Sequence, residues 1–526
     1  MTVAVQSRPR VERPAHLRRL AELTRHVVAS GGARATIRSP MDLEPIGEVP
    51  RSRSEDVRAA AAQARRVQED WAQRPFTERA EVFLRFHDLL LERQEEALDL
   101  IQLESGKARL HAYEEVADAA IVARHYAVRA ADFLAPRPRR GAVPGLTQTW
   151  EYRHPKGLVG IIAPWNYPLS MGITDAIPAL IAGNAVVEKP DSQTPFTLLW
   201  AIDLMVEAGL PAGLYSVVYG DGPTLGPPLF DAADYLQFTG STSTGRLVAR
   251  EAGARLTGCS LELGGKNPML VLSDADLDSA VLGAVRGCFA SAGQLCVSIE
   301  RIYVHDSLYE RFRSDLVRAT REIRLGTRLD WSYDVGSLAS EKQMATVEAH
   351  VRDAVARGAK VECGGRRRPD VGPLVYEPTL LTAVAPGMTL YAEETFGPVV
   401  AIYPVGSNHE AVERANDTRY GLAASIWSRD TELARRMATR LQCGIVTINE
   451  TYVAGWASVE APMGGFKDSG LGRRHGDEGI LKYTESQNVT VQRGMPLAPP
   501  KGVPAEAFAR WFTGALWAVK RVPGIR

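Results

Sequence analysis

The sequence predicts an α/β fold in two lobes. Two observations carry the prediction. Short apolar strands alternate with helical stretches over residues 158–260, and the same texture returns over residues 268–441. Such alternation builds a parallel sheet covered on both faces, with ligands bound off the carboxyl ends of its strands. The length of 526 residues accommodates this, since ~100–200 residues per domain implies two to four domains.

In chain order, residues 8–25 are rich in arginine (Arg8, Arg10, Arg13, Arg18, Arg19, Arg25), with Glu12 and Glu22 interrupting the charge. Leu17, Leu20, Leu23, Val27 and Val28 fall at helical spacing, so a first surface helix is expected rather than a transit segment. Residues 55–135 read as helices, with Leu84, Phe86, Leu89, Leu90 and Leu91 as an apolar side. Pro136, Pro138, Gly141, Pro144 and Gly145 break that run. Residues 146–156 alternate loosely, as a strand or arm would. Leu158 to Ala163, Ala185 to Glu188, Tyr215 to Tyr219 and Tyr235 to Phe238 then read as buried strands, and RLVAREAGA (246–254) as a helix. In the second lobe, Pro268 to Leu272, Glu300 to Val304 and Val399 to Tyr403 read as strands, with helices at 408–416 and 431–441. Residues 480–492 end in strand-like alternation.

Composition narrows the function classes. Apolar residues make up 45% and charged residues 24%, as in an ordinary globular enzyme. Lys plus Arg equal Asp plus Glu at 62 each, so no nucleic-acid partner is expected. Five cysteines make a poor disulfide framework and point to a reducing compartment; no metal-ligand spacing occurs, and no metal site is expected. No apolar run reaches the ~18–20 residues of a membrane span.

Four places carry residue types suited to chemistry. Cys296 lies in GQLCVS (293–298), a tight polar setting that suits a reactive thiol, although a lone cysteine is commonly a small buried hydrophobe. Glu262 in LELGGKNP (261–268) ends a strand before paired glycines, where a turn with unusual backbone angles is expected. It reads either as a solvated turn glutamate or as a buried general base. Asn166 in PWNYP (164–168) is a turn asparagine or an oxyanion donor, a role in which preorganised N–H groups contribute ~3–4 kcal/mol. FTGSTSTG (238–245) leads from a strand into a helix N-terminus, which suits phosphate, although it is not a GxGxxG.

With AGNAVVEKP (182–190), EETFGPV (393–399) and KDSGLGRRHG…KYTE (467–485), these segments stand in one order, and the chain resembles the aldehyde dehydrogenase superfamily over nearly its full length. Glu262 and Cys296 are 34 positions apart, as that family's pattern requires. The resemblance implies an aldehyde dehydrogenase-like fold. A Rossmann-like cofactor-binding domain would span 15–133 and 157–263, a catalytic domain 264–468, an oligomerisation arm 134–156 and 480–495, and a helical extension 496–526. It implies NAD(P)+-dependent oxidation of an aldehyde to a carboxylic acid through a cysteine thiohemiacetal and thioester, in a cytoplasmic homodimer or homotetramer. Cys296 would be the nucleophile, its N–H and the Asn166 amide the oxyanion hole, and Glu262 the base that activates water. Trp165, Lys189, Ser192, Gly240, Ser241, Glu394 and Phe396 would hold the cofactor. Of these, Lys189 would take the adenosine ribose, Ser241 the pyrophosphate, and Glu394 and Phe396 the nicotinamide ribose and ring. Glu262 argues against transfer of the acyl group to coenzyme A, and the intact Cys–Glu–Asn set against an inactive binding protein.

Within the family the nearest likeness is to the longer actinobacterial succinate-semialdehyde dehydrogenases, which implies succinic semialdehyde as substrate. Ser192 stands where NAD-specific relatives carry a glutamate, so NADP+ is favoured by charge, with NAD+ as the alternative and Asp191 next door. Thr174 and Ala290 stand where better-characterised enzymes of that specificity carry two carboxylate-gripping arginines. Asp175 and Arg474 replace a common lysine and a common glutamate. Tyr452 and Trp456 in the loop 450–458 suggest an apolar entrance, so an uncharged aliphatic or aromatic aldehyde is the alternative. Beyond the family's usual end, Phe508, Trp511, Phe512, Leu516, Trp517 and Val519 cluster on one helical face. A helix packed on its own subunit or a neighbour is expected there, ahead of an interfacial membrane helix or a cap over the substrate tunnel.

Overall fold

Strand formation follows the apolar runs. In the computed structural model, which describes residues 11, 13, 14, 17, 19–143, 146–493 and 497–521, a six-stranded sheet runs Gly470–Leu471, Gly258–Glu262, Tyr235–Thr239, Leu158–Ile162, Ala185–Lys189, Tyr215–Val217. All neighbours are parallel except the Gly470–Leu471 edge. The strands Leu158–Ile162 and Ala185–Lys189 are buried almost throughout because helices cover both faces, which is why they read as unbroken apolar runs. The chain steps outward from Leu158–Ile162 to Tyr215–Val217, then returns to the other side with Tyr235–Thr239. That reversal makes a topological switch point, the place where open α/β sheets bind ligands. The loops at 163–167 and 240–241 open from it.

A second sheet has seven strands in the order Lys360–Cys363, Thr379–Thr382, Val399–Val405, Ile299–His305, Asn267–Val271, Ala423–Trp427, Ile445–Ile448. Only its first pair is antiparallel. Its core joins Leu270, Ile302, Val400 and Ile426 to Ala284, Leu316 and Val347 from the helices Leu277–Phe289, Asp306–Arg321 and Glu341–Ala356. The crossing from one sheet to the other takes four residues, 263–266, between strands Gly258–Glu262 and Asn267–Val271. These sheets belong to one unit, formed by the described residues up to Phe133 together with Pro155–Tyr483.

The stretch expected to be helical forms Ser54–Gln73, Phe76–Glu92, Gln94–Ser105 and Arg109–Leu134. The apolar side of Phe76–Glu92 differs from expectation. Val82, Phe83, Phe86 and Leu90 are buried, whereas Leu84 and Leu91 are exposed. Leu84 and Leu91 lie seven positions apart and share the opposite, solvent face. Among the described residues the N-terminal segment forms a helix, Leu20–Leu23, followed by a 3₁₀ turn, Thr24–His26, with Leu20, Leu23 and Val27 buried. Arg8, Arg10, Glu12, Arg18, Pro144 and Gly145 lie outside the described residues.

The second unit holds Leu134–His154 and the described residues from Thr484 onward. Its three-stranded sheet runs Thr484–Gln492, Thr147–Pro155, Arg137–Arg140. Arg137–Arg140 is a strand despite Pro138, which an edge position tolerates. The strand expected from residue 480 begins at Thr484, because Gly476–Leu481 is helical. The helix Ala505–Val519 buries none of its residues. Among the described residues no helix is long and apolar enough to cross a membrane.

Candidate active site

Cys296 sits on a strained turn. Ser291, Ala292 and Gly293 take positive φ of 50°, 56° and 69° in succession. A Cβ on Gly293 would stand 2.1 Å from the Gly397 carbonyl, so no other residue fits without movement. The N–H of Ser298 then closes onto the Leu295 carbonyl at 2.8 Å, with Cys296 inside the turn. Asn267 Nδ2 donates to the carbonyls of Cys296 (2.7 Å) and Ser298 (2.8 Å), which fixes the segment to the start of the second sheet. Burial, with Glu262 and Glu394 adding, pushes the Cys296 thiol up to about 12.

Glu262 ends its strand as expected, but the glycines after it serve another purpose. Neither Gly264 nor Gly265 has a positive φ. Both are small because neighbours press in. A Cβ on Gly264 would meet the Glu394 carboxylate at 2.3 Å, and one on Gly265 would meet the Cys296 carbonyl at 2.7 Å. Glu262 is 6% exposed, and its Oε1 has no hydrogen-bond partner. Burial pushes its carboxyl up to about 7, against the pull of Arg474 and Lys482. An unpaired buried carboxyl of this kind is what a general base requires.

Asn166 leaves the strand Leu158–Ile162 through Pro164, and Pro168 starts the helix Pro168–Ile173. Its Nδ2 donates to the Gln294 carbonyl at 3.0 Å, which leaves the second amide hydrogen for a ligand. Asn166, Glu262 and Cys296 line one cavity with Tyr167, Met171, Leu295, Trp456, Met463 and Arg474. Apart from the catalytic candidates and Arg474, that lining is mainly apolar. Trp456 is in it, whereas Tyr452 is buried behind, donating to Glu114 at 2.9 Å.

Of the residues expected to hold a dinucleotide, Trp165, Lys189, Ser192, Gly240 and Ser241 end or follow strands of the six-stranded sheet, and Glu394 and Phe396 precede the strand Val399–Val405 of the second. Lys189 ends the strand Ala185–Lys189, is 8% exposed, and gives one hydrogen bond, to the Pro190 carbonyl at 3.0 Å. Ser192 is exposed in the following loop, and the neighbouring Asp191 accepts the Gln193 N–H at 2.9 Å within its own turn. Gly240 donates to the Glu262 carbonyl (3.0 Å), and Ser241 caps the helix Thr242–Ala254, accepting from Thr244 N–H. Glu394 accepts the Gly265 N–H at 2.8 Å, and burial pushes its carboxyl up to about 8. Phe396 has φ of 52° and meets Trp165 edge-on at 5.5 Å. An incompletely satisfied buried ammonium, a capped helix N-terminus and an aromatic edge suit ribose, pyrophosphate and a flat ring in turn.

Several residues of the site were not singled out in the sequence. Glu300 accepts the N–H groups of Thr395 (3.0 Å) and Phe396 (2.9 Å) and pairs with buried Lys266 at 2.5 Å. Lys107 donates to the Asn166 carbonyl at 2.6 Å. Arg474 bonds the Thr174 hydroxyl and pairs with Asp175 at 3.2 Å, so the two charge departures noted in the sequence meet as a buried ion pair. Local pattern could not mark Glu300, Lys266 and Lys107, because a charged residue in a strand or loop reads as solvated until its partner is known.

Comparisons with known proteins show the family and the fold. The aldehyde dehydrogenase family pattern matches residues 27–489. A Mycobacterium tuberculosis protein provisionally named an NADP(+) succinate-semialdehyde dehydrogenase is 51% identical over 92% of this chain and 93% of its own. A similarly named Mycolicibacterium smegmatis protein is 50% identical over 90% and 92%. Among solved structures, an E. coli NADP-dependent enzyme superposes with a TM-score of 0.85 at 35% identity, covering 89% of this chain and 96% of its own. Staphylococcus aureus betaine aldehyde dehydrogenase with NAD+ does so with a TM-score of 0.85 at 32% identity, covering 91% and 98%.

Proposed function

The chain belongs to the aldehyde dehydrogenase family, and from that premise we propose that it oxidises succinic semialdehyde to succinate with NADP+, using Cys296 as nucleophile. The observation that carries the residue assignment is the convergence of Cys296, Glu262 and Asn166 on one cavity from three separate segments of chain. Bound dinucleotide supplies the hydride acceptor of the reaction. Everything else falls to the chain's own groups. The Cys296 thiol, raised to about 12, attacks only if a neighbour takes its proton, and Glu262, near 7, is the base beside it. Attack on the aldehyde carbon creates an oxyanion that the second Asn166 amide hydrogen and the Cys296 N–H stabilise. Loss of hydride from that adduct leaves a thioester; Glu262 releases the thiol's proton to solvent and, ionised again, deprotonates the water that hydrolyses the thioester.

NADP+ is supported by Ser192 in place of a carboxylate and by the NADP(+) in the names of the mycobacterial relatives, while the neighbouring Asp191 carboxylate weighs against it. Succinic semialdehyde is supported by the names of the mycobacterial relatives and by Arg474, a cation in the cavity lining whose Nε has no hydrogen-bond partner. A second reading, an uncharged aliphatic or aromatic aldehyde, is favoured by the apolar lining and by Thr174 and Ala290, neither of which can grip a carboxylate. Steady-state kinetics decide between them. We expect kcat/KM with NADP+ to be highest for succinic semialdehyde; an uncharged aldehyde ahead by tenfold, ~1.4 kcal/mol, would establish the second reading instead.

In this reading, residues 15–133 and 157–263 form the cofactor-binding domain and 264–468 the catalytic domain. The protein works in the cytoplasm as a homodimer or homotetramer. Five unpaired cysteines support the compartment. The exposed edge strand Thr484–Gln492, beyond its first residue, supports assembly through the arm.

A further inference from the structure

We propose that the buried pair Lys107–Glu115 is a positioning device that holds the Asn166 amide in register with Cys296; the inference rests on the oxyanion reading of Asn166 given above.

Lys107 is 2% exposed and Glu115 is fully buried. The Lys107 ammonium faces three partners: Glu115 Oε1 at 2.5 Å, the Asn166 carbonyl at 2.6 Å and the face of Tyr167 at 3.5 Å from the ring centre. Glu115 Oε2 accepts the N–H groups of Leu169 (2.8 Å) and Ser170 (3.1 Å), at the start of the helix Pro168–Ile173. The pair therefore grips the short segment 166–170 at both ends. A buried ion pair is a poor source of stability in itself, since desolvation offsets most of the attraction. Here one of the ammonium's remaining contacts goes to the backbone carbonyl of Asn166, whose side chain lines the same cavity as Cys296.

The other side of Asn166 closes the loop. Its Nδ2 donates to the Gln294 carbonyl, two residues before Cys296. Gln294 in turn accepts from Ala339 N–H at 2.9 Å and donates to the carbonyls of Ser291 (3.1 Å) and Ser337 (3.3 Å). Ser337 N–H donates at 2.9 Å to the carbonyl of Gly106, the neighbour of Lys107. A closed circuit thus runs from Lys107 through Asn166, Gln294 and Ser337 back to Gly106. It sets Asn166 and the Cys296 turn against one common anchor. The Asn166 backbone is held by Lys107 alone among the side chains of that circuit.

The test uses the full chain and reads the single-turnover rate of reduced-cofactor formation, cofactor affinity and thermal stability. Lys107→Met/Glu115→Gln removes the charge pair yet keeps an acceptor for Leu169 and Ser170. It is expected to bind NADP+ as the parent does and to react at least tenfold more slowly. Lys107→Gln/Glu115→Gln returns a donor to the Asn166 carbonyl and is expected to recover at least threefold over the Met variant, an outcome that a purely structural role would not give. Asn166→Ala should slow the Met variant by a smaller factor than it slows the parent, because both changes remove the same alignment. A Met variant within twofold of the parent, no recovery with Gln, or effects that multiply independently with Asn166→Ala would each overturn the proposal. If Asn166→Ala alone left the rate unchanged, the oxyanion reading itself would fall, and that outcome is distinct from the others.

Discussion

At the residue scale, burial works on Cys296 and Glu262 in the same direction: each is made to keep its proton. A thiol pushed to about 12 is inert at neutral pH without a base, and a carboxyl pushed to about 7 is such a base once ionised. Cys296→Ala should therefore abolish turnover while NADP+ still binds, as titrated by protein fluorescence; residual aldehyde oxidation would move the nucleophile elsewhere. Turnover should rise with pH through about 7 as the Glu262 carboxylate forms, and Glu262→Gln should flatten that limb of the profile. The same shift has a stability consequence. Unfolded, this carboxyl ionises near 4.5; folded, near 7. Ionisation favours the unfolded chain as pH rises from the first value to the second, an effect of up to about 3 kcal/mol that is absent at lower pH. Glu262→Gln should thus gain Tm over the parent at pH 8 and show little difference at pH 4.5. Equal offsets at both pH values would mean that the carboxyl is not raised.

At the element scale, the turn before Cys296 stores strain that the surrounding contacts must hold. Residues outside glycine at positive φ cost ~1–3 kcal/mol each, and Ser291 and Ala292 are two of them in a row. Gly293→Ala adds a clash with the Gly397 carbonyl and should destabilise by about 2 kcal/mol or more. Ala292→Gly should be neutral or stabilising; chemical denaturation of both variants checks this, and a stable Gly293→Ala would mean that the turn relaxes freely. The helix Ala505–Val519 makes the opposite case, with no residue buried. Deleting residues 503–526 should leave the Tm and the sedimentation with liposomes unchanged. Loss of liposome binding on deletion would show that the helix lies on membranes. Sequence periodicity found these helices and strands but misassigned faces where apolar residues were plentiful. Leu84 and Leu91 are as apolar as Phe86 and Leu90, and only the neighbouring helices decide which pair turns inward. The Gly264–Gly265 pair was legible as a constraint, but its cause was not. Its cause is a carboxylate and a carbonyl from distant segments.

At the scale of the whole molecule, Asn166, Glu262, Cys296 and Trp456, from separate parts of the chain, line one cavity. Cofactor choice belongs to this scale, because Lys189 and Ser192 come from one crossover of the six-stranded sheet and Ser241 from another. Ser192→Glu should cut kcat/KM for NADP+ by tenfold or more and leave or raise that for NAD+, by repulsion of the 2′-phosphate. An unchanged ratio would place the 2′-phosphate away from residue 192. The alternation of strands and helices, and seven segments in a fixed order, determined the fold class, the family and the reaction class without any coordinates, since each is written in local pattern. What only the tertiary structure decided is which charges are buried and with whom: Lys107 with Glu115, Lys266 with Glu300, Asp175 with Arg474. The physical reason is that a charge survives burial only beside a partner, and these Lys–Glu and Asp–Arg partners are brought together by chain crossings and turns that no local period records.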